Sequence, residues 1–360
     1  MEQTKTNNLS RFLKKILPEK KEREVKKSRR EQCEIFKKRL ALLSHEEQKY
    51  LKRKILIDKA WPIFRALIVF GLCFVILYPL IFMVSVAFRA RADMADPTVL
   101  WIPRTWTMQN VKDVIRAMDF WNTLKNTLVL NIGCSLVQVA SCAMTGYGFA
   151  RFKFKGKSIL FFIVILMILV PPQIINIPQY MFFRYFNPFW IYHPITGSYI
   201  NLINTGYTMY APAITANGIR SGLCIFIFRQ SFRGLPKELE DAAYLDGCSP
   251  FKTFLKVMVP NAGSTFLTVF LFSIVWYWND YYVSTSFFTD NKTIALMLKN
   301  LDAALKQIIF NGGNIQVSAK ELIVWMEAGC LISILPILLL YIFLQKKFTE
   351  GIARSGLTGM

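Results

Sequence analysis

Residues 234–260 read GLPKELEDAAYLDGCSPFKTFLKVMVP, and the interpretation of this stretch governs that of everything around it. Pro236 suits the first turn of a helix, where a missing N–H costs nothing. Glu238, Glu240 and Asp241 then fall at or near the positive N-terminal end of that helix. Leu239, Ala242 and Ala243 follow i, i+3, i+4 and form one face with two small residues. Gly247 ends the helix, since glycine tolerates positive φ. Ser249 reads as an N-cap with Pro250 at the first helical position. Phe251, Phe254, Leu255 and Met258 repeat as a second amphipathic stripe, and Pro260 closes the segment. Two short helices joined by a turn, each with an apolar stripe, suit either packing on the chain's own helices or docking in the groove of a soluble partner.

On both sides the sequence turns apolar. The chain has 360 residues, 53% of them hydrophobic and only 19% charged, with 30 Phe and a mean hydropathy of +0.33. Soluble domains carry about 45–50% apolar residues, and a helix needs about 20 to cross a bilayer. Stretches free of Asp, Glu, Lys and Arg lie at 66–88, 126–150, 158–183, 257–279 and 328–345. A further span fits near 201–228, with Arg220 inside it. The expectation is an all-α membrane protein with six transmembrane helices. The first apolar run is too long and too far from the N-terminus for a signal peptide, so it stays as a span.

The basic residues orient this arrangement. Lys and Arg total 44 against 23 acids, a net +21. With both termini in the cytoplasm, inner segments carry 32 Lys/Arg and outer segments 11. The short loop RFKFKGK at 151–157 points the same way. All seven cysteines fall in spans or inner segments, which leaves no external disulfide framework. The expected organisation is a basic cytoplasmic arm at 1–60, a membrane domain at 61–345 containing the loop 234–260, and a cytoplasmic tail at 346–360. The first 60 residues hold 19 Lys/Arg and 9 acids. They suit a solvated arm or one lying on anionic headgroups. Interleaved Glu22, Glu24, Glu31 and Glu34 and few aromatics argue against nucleic acid.

The loop resembles the EAA loop of ABC-importer permeases, whose signature is E-A-A, three residues, G, nine residues, then I-x-L-P. Here Asp241-Ala242-Ala243 precedes Gly247, and Val257-Met258-Val259-Pro260 follows at the same spacing. Asp replaces Glu at 241, and Val replaces Ile and Leu at 257 and 259. Asn126-Thr127, the run AMTGYGFARF at 143–152, Asp246-Gly247, Trp278-Asn279-Asp280 and QKKFTEGI at 345–352 resemble carbohydrate ABC-transporter permeases of the maltose-system, MetI-like type. The resemblance covers residues 62–360.

What the resemblance implies is a multi-pass subunit of a bacterial cell membrane, forming half of the pathway of an ATP-driven sugar importer. It implies as partners a second homologous permease, two ABC ATPase subunits, an extracellular solute-binding protein and the sugar itself. Glu240, Asp241, Ala242, Ala243, Asp246, Gly247, Ser249 and Pro260 would couple the chain to an ATPase. The chain itself is expected to be no enzyme and to hold no cofactor or metal, with ATP bound by the partner. Gly156-Lys157-Ser158 imitates the end of a P-loop, but the first glycine of that motif is Arg151 here. Rival readings are an importer of a non-sugar solute and an ATPase-independent transporter.

Ionisable groups inside spans default to functional candidates, because at mid-bilayer they cost about 2.5–3.5 kcal/mol. Arg220 is either a structural charge between helices or a cavity-facing group that bonds sugar hydroxyls. Asp280 and Glu327 are either helix-end residues near the outer surface or pathway groups. Trp276, Trp278 and Asn279 complete the candidate set for the solute pathway, and Trp276 and Asp280 share a helix face at i, i+4.

Overall fold

The structure is a computed structural model. It describes residues 44–90, 92–93, 96, 98–99, 101–188, 191–290, 293–309 and 319–357, with only the backbone at 51, 52, 55, 59, 309, 319–320 and 346–357. Most of the basic arm, residues 1–43, lies outside the described residues, as do the last three residues of the tail. The chain divides into two compact units, Met1–Leu77 and Tyr78–Met360.

The first unit contributes the greater part of α1 (His45–Ala87), a helix whose apolar side chains from Trp61 to Leu77 are largely exposed. The second unit begins with the last turns of α1. It continues through α2 (Gln109–Ala117), α3 (Phe120–Arg151), α4 (Lys157–Leu169), α5 (Pro172–Arg184), α6 (Tyr192–Thr196), α7 (Tyr207–Ile214) and α8 (Ser221–Gly234). Next come α9 (Glu238–Leu245), α10 (Pro250–Asn261, including a π-turn at Phe254–Met258) and α11 (Gly263–Asn279). The last helices are α12 (Tyr282–Phe287), α13 (Ile294–Lys299), α14 (Leu301–Ile309) and α15 (Ala319–Leu357). Among the described residues two isolated bridges, Arg89 with Trp106 and Phe186 with Ile200, stand in for any sheet.

Three helical segments are long and apolar enough to cross a membrane: Leu56–Ala87, Phe120–Arg151 and Glu321–Gln345. They contain the expected runs 66–88 (to within a residue), 126–150 and 328–345. The third run, 158–183, differs from expectation. It is two helices, α4 and α5, at 103°. Pro171 and Pro172 are the cause: a residue before proline is driven out of the helical region. Val170 and Pro171 are accordingly extended, with ψ 121° and 135°. The fifth run bends by 82° between α10 and α11, at Ala262 rather than at Pro260. Pro260 offers no N–H to the turn before it. The chain widens into the π-turn there, and the Asn261 side chain donates from Nδ2 to the Val257 carbonyl at 2.7 Å.

The fourth run also differs. It consists of the short helices α7 and α8, and Arg220 is the N-cap of the second rather than a residue inside a span. Ala216 and Arg220 take left-handed φ of 55° and 54° in the connecting turn, a conformation uncommon outside glycine.

Among the described residues, two smaller clusters and two large apolar cores hold the second unit. One joins α3, α8 and the π-turn through Cys142, Tyr147, Phe228, Phe232, Phe254 and Met258. The other joins α2, α14 and α15 through Val114, Met118, Leu301, Leu305, Trp325 and Ala328.

Candidate functional site: an exposed elbow and a lined cavity

α9 and α10 form an elbow at the foot of α8. α9 ends as a Schellman motif, in which Gly247 N–H donates to the Tyr244 carbonyl at 3.0 Å and Cys248 N–H to the Ala243 carbonyl at 2.9 Å. This geometry requires left-handed backbone at Gly247, whose φ is 78°. Ser249 then caps α10, its hydroxyl accepting the Lys252 N–H at 3.4 Å. Turn and cap follow the sequence reading.

The elbow has an inner and an outer face. Glu240 and Ala243 are buried, whereas Asp241, Ala242, Asp246, Gly247 and Pro260 are exposed. Glu240 therefore faces its own protein. Its carboxylate lies 3.3 Å from Arg151 Nε at the end of α3, and Arg151 also donates to the Leu235 carbonyl at 2.7 Å. The Tyr147 hydroxyl lies beside Glu240 and Tyr244. The apolar stripe of α10 is likewise divided: Phe254 and Met258 are buried, while Phe251 and Leu255 are exposed. Leu245, at the tip, is 90% exposed. The outer face thus combines two acids, small residues and three uncovered apolar side chains, a composition suited to an apolar cleft with basic edges.

A cavity of about 340 Å³ lies between α5, the α7–α8 turn and the end of α11. Arg220, Trp276, Asn279 and Asp280 all line it, together with Gln173, Asn176, Gln179 and Asn217. The Arg220 guanidinium sits 5.4 Å from the centre of the Trp276 ring, a cation–π arrangement. The Asp280 carboxylate accepts the backbone N–H groups of Val283 at 3.2 Å and Ser284 at 3.0 Å and so begins α12. Trp278 and Glu327 do not line this cavity. Trp278 is two residues from Trp276, hence on the other side of α11, where its indole donates to the Ser333 carbonyl at 3.2 Å. A second cavity of about 660 Å³ shares Ile175, Gln179, Pro212 and Asn217 with the first and continues along α5 and α7.

A stripe of uncharged polar residues on α3 holds the broken fourth segment in place. Gln138 Nε2 donates to the Ile219 carbonyl at 2.9 Å, and the Tyr277 hydroxyl donates to Gln138 Oε1 at 2.7 Å. Ser141 donates to the Ala213 carbonyl at 2.6 Å, while Asn131 ties α3 to α11 instead, through the Ile274 carbonyl at 3.1 Å. Backbone carbonyls exposed by the break need such partners in an apolar surround. A scan for charges passes over these residues, although Thr123, Thr127, Asn131 and Ser135 recur every four positions along α3.

The model of the family described as "Binding-protein-dependent transport system inner membrane component" matches residues 143–354, a stretch that holds both elbow and cavity. The arabinooligosaccharides transport system permease protein AraQ of Halalkalibacterium halodurans is 26% identical over 307 residues, covering 84% of this chain and 99% of the relative. The diacetylchitobiose uptake system permease protein DasC of Streptomyces coelicolor is 25% identical, covering 85% and 100%. A chain from the crystal structure of a bacterial ABC transporter involved in import of the acidic polysaccharide alginate aligns with a TM-score of 0.60 at 19% identity. That alignment covers 81% of this chain and 97% of the other and shows a common fold.

Proposed function

The chain belongs to the family of binding-protein-dependent transport system inner membrane components, and on that premise we propose that it forms half of the membrane pathway of an ATP-driven carbohydrate importer. Its family is a transport component rather than an enzyme, and ATP is bound by the partner ATPase. The carbohydrate reading draws on relatives named for arabinooligosaccharides and diacetylchitobiose. The amide and indole lining of the cavity supports it, because sugars offer hydroxyls to amides and C–H faces to aromatic rings. In this reading the chain crosses the membrane six times, the α7–α8 pair counting as one span. The elbow, the basic arm 1–60 and the tail 346–360 lie on the cytoplasmic side. A second permease completes the pathway, and a binding protein delivers solute from outside.

The observation that carries the coupling role is the uncovered part of the elbow, where Leu245, Phe251 and Leu255 are exposed, as is Asp241. An ATPase cleft closing on this face would push α8 and α11, which leave the elbow at either end, as rigid levers. Gly247→Val tests this. A β-branched residue in left-handed backbone costs about 1–2 kcal/mol, and no neighbour lies within 4 Å of the added Cβ, so the strain stays in the turn. In membranes containing the complete importer, the variant is expected to insert normally, lose co-purifying ATPase and lose oligosaccharide uptake. Wild-type uptake by the variant would contradict the coupling role. Normal coupling without uptake of any saccharide would instead contradict the choice of solute.

A further inference from the structure

Arg229, in the last turns of α8, places its guanidinium carbon 3.8 Å from the centre of the Phe161 ring on α4. Its Nε is buried and has no hydrogen-bond partner among the described residues. Arg233, one turn further on and exposed, and Lys157, at the start of α4, are both close enough to repel it. Lys157 spends one hydrogen bond on the Phe152 carbonyl at 2.8 Å. The ion pairs recorded among the described residues join Asp96 with Arg104, Glu240 with Arg151 and Asp302 with Lys306. None neutralises this cluster. Among the described residues, three mutually repelling cations, one of them over an aromatic ring, therefore have no anion of their own.

The surroundings indicate what kind of anion. The cluster lies at the elbow end of the bundle, where α4 begins and α8 ends. From it α4 runs away with Ile159, Leu160, Phe162 and Ile163 exposed, an apolar surface continuous with the charged end. A ligand that places a phosphate on three cations and lays hydrocarbon along α4 satisfies both halves at once. We infer that Lys157, Arg229 and Arg233 hold the phosphodiester headgroup of an anionic phospholipid in the leaflet on the elbow side. The guanidinium fork of Arg229 matches phosphate oxygens, and basic pockets between spans on this side suit such headgroups. This inference does not depend on the solute carried. A lipid seated here would stiffen the joint between α4 and the lever α8.

The test uses the full chain in detergent, incubated with phosphatidylglycerol or phosphatidylcholine of matched acyl chains and examined by native mass spectrometry. The wild type is expected to retain phosphatidylglycerol about tenfold better, and the pair Arg229→Gln and Arg233→Gln to lose that preference. The pair Arg229→Lys and Arg233→Lys keeps the charge and is expected to keep most of the preference. Lys112→Gln, on α2, removes a charge elsewhere and is expected to change nothing. If the glutamine pair fails to fold, Arg233→Gln alone, at an exposed position, carries the same test with a loss of about threefold to fivefold. Equal retention of both lipids by the wild type overturns the inference, as does a preference that survives loss of the cluster's charge. Displacement by millimolar inorganic phosphate alone identifies a soluble anion as the occupant and overturns the lipid assignment. A preference that disappears when the complete importer is assembled assigns the cluster to a protein neighbour, and overturns it too.

Discussion

Glu240→Ala is expected to leave the chain in the membrane and to disconnect its elbow. The substitution strands Arg151, whose side chain is 13% exposed beside a carboxylate that is 6% exposed. Breaking a buried pair by removing one partner costs about 3–5 kcal/mol, because the remaining charge has no water to replace what it lost. The cost falls where α3, α8 and α9 meet, since Arg151 also holds the Leu235 carbonyl that links α8 to α9. Hydrogen exchange should therefore rise across residues 235–262 and much less in α2 and α14, whose core is separate. Uptake should fall close to background. The double variant Arg151→Met, Glu240→Leu separates packing from charge: it removes both desolvated groups and keeps their volume, and is expected to recover most of the stability. If Glu240→Ala exchanged and transported like the wild type, Glu240 would be a surface group and the inner face of the elbow would be wrongly drawn.

That variant also marks where the sequence stopped being readable. Glu240 sits in the first turn of α9 among Glu238 and Asp241, and charge at a helix N-terminus explains all three equally well. Only the fold separates them, because the partner of Glu240 is 89 residues earlier at Arg151. Features set by neighbouring residues were legible: the left-handed Gly247, the Ser249 cap and the shared face of Trp276 and Asp280 follow from backbone chemistry and helical period, whereas grouping Trp278 with them ignored that two residues along a helix reverse the face. The bend between α4 and α5 was half legible. Pro171-Pro172 stands in the sequence, but a scan for charge-free length records composition and ignores direction, so it drew one straight span. The cavity was partly legible for the same reason that its charges stood out in an apolar chain. Of its amides only Asn279 did, while Gln173, Asn176, Gln179 and Asn217 did not, and neither did Gln138, Ser141 or Tyr277. Uncharged polar residues in a span declare themselves only through the carbonyls they meet, and those belong to turns created by the break after Pro212.

The second large effect is expected at Gly146, in the GYG of α3. A Cβ there would lie 2.6 Å from Phe228 Cβ, 3.0 Å from the Arg229 backbone nitrogen and 3.1 Å from the Ile225 carbonyl oxygen. Two of these neighbours are backbone and the third is a Cβ, so no side-chain rotation relieves the contact. Helices in a membrane pack where small residues let backbones approach, and α3 meets α8 at this point. Gly146→Val must therefore push α8 away or break its packing on Tyr147 and Phe254, at a cost of about 1–3 kcal/mol or more for overpacking. Gly148 supplies the internal control: two residues on, its added Cβ would meet only the Phe152 ring at 3.9 Å, and Gly148→Ala is expected to be near neutral. Thermal unfolding of the purified chain should show a lowered transition for Gly146→Val and an unchanged one for Gly148→Ala. Uptake per molecule of surviving protein should fall further than stability alone accounts for. α8 runs directly into the elbow, and a displacement of that lever at Gly146 is carried to Leu245 and Phe251 where an ATPase would grip. Equal uptake per molecule in the two variants would mean that α8 tolerates a shift against α3, and the rigid-lever account of coupling would then have to give way to one in which the elbow moves by itself.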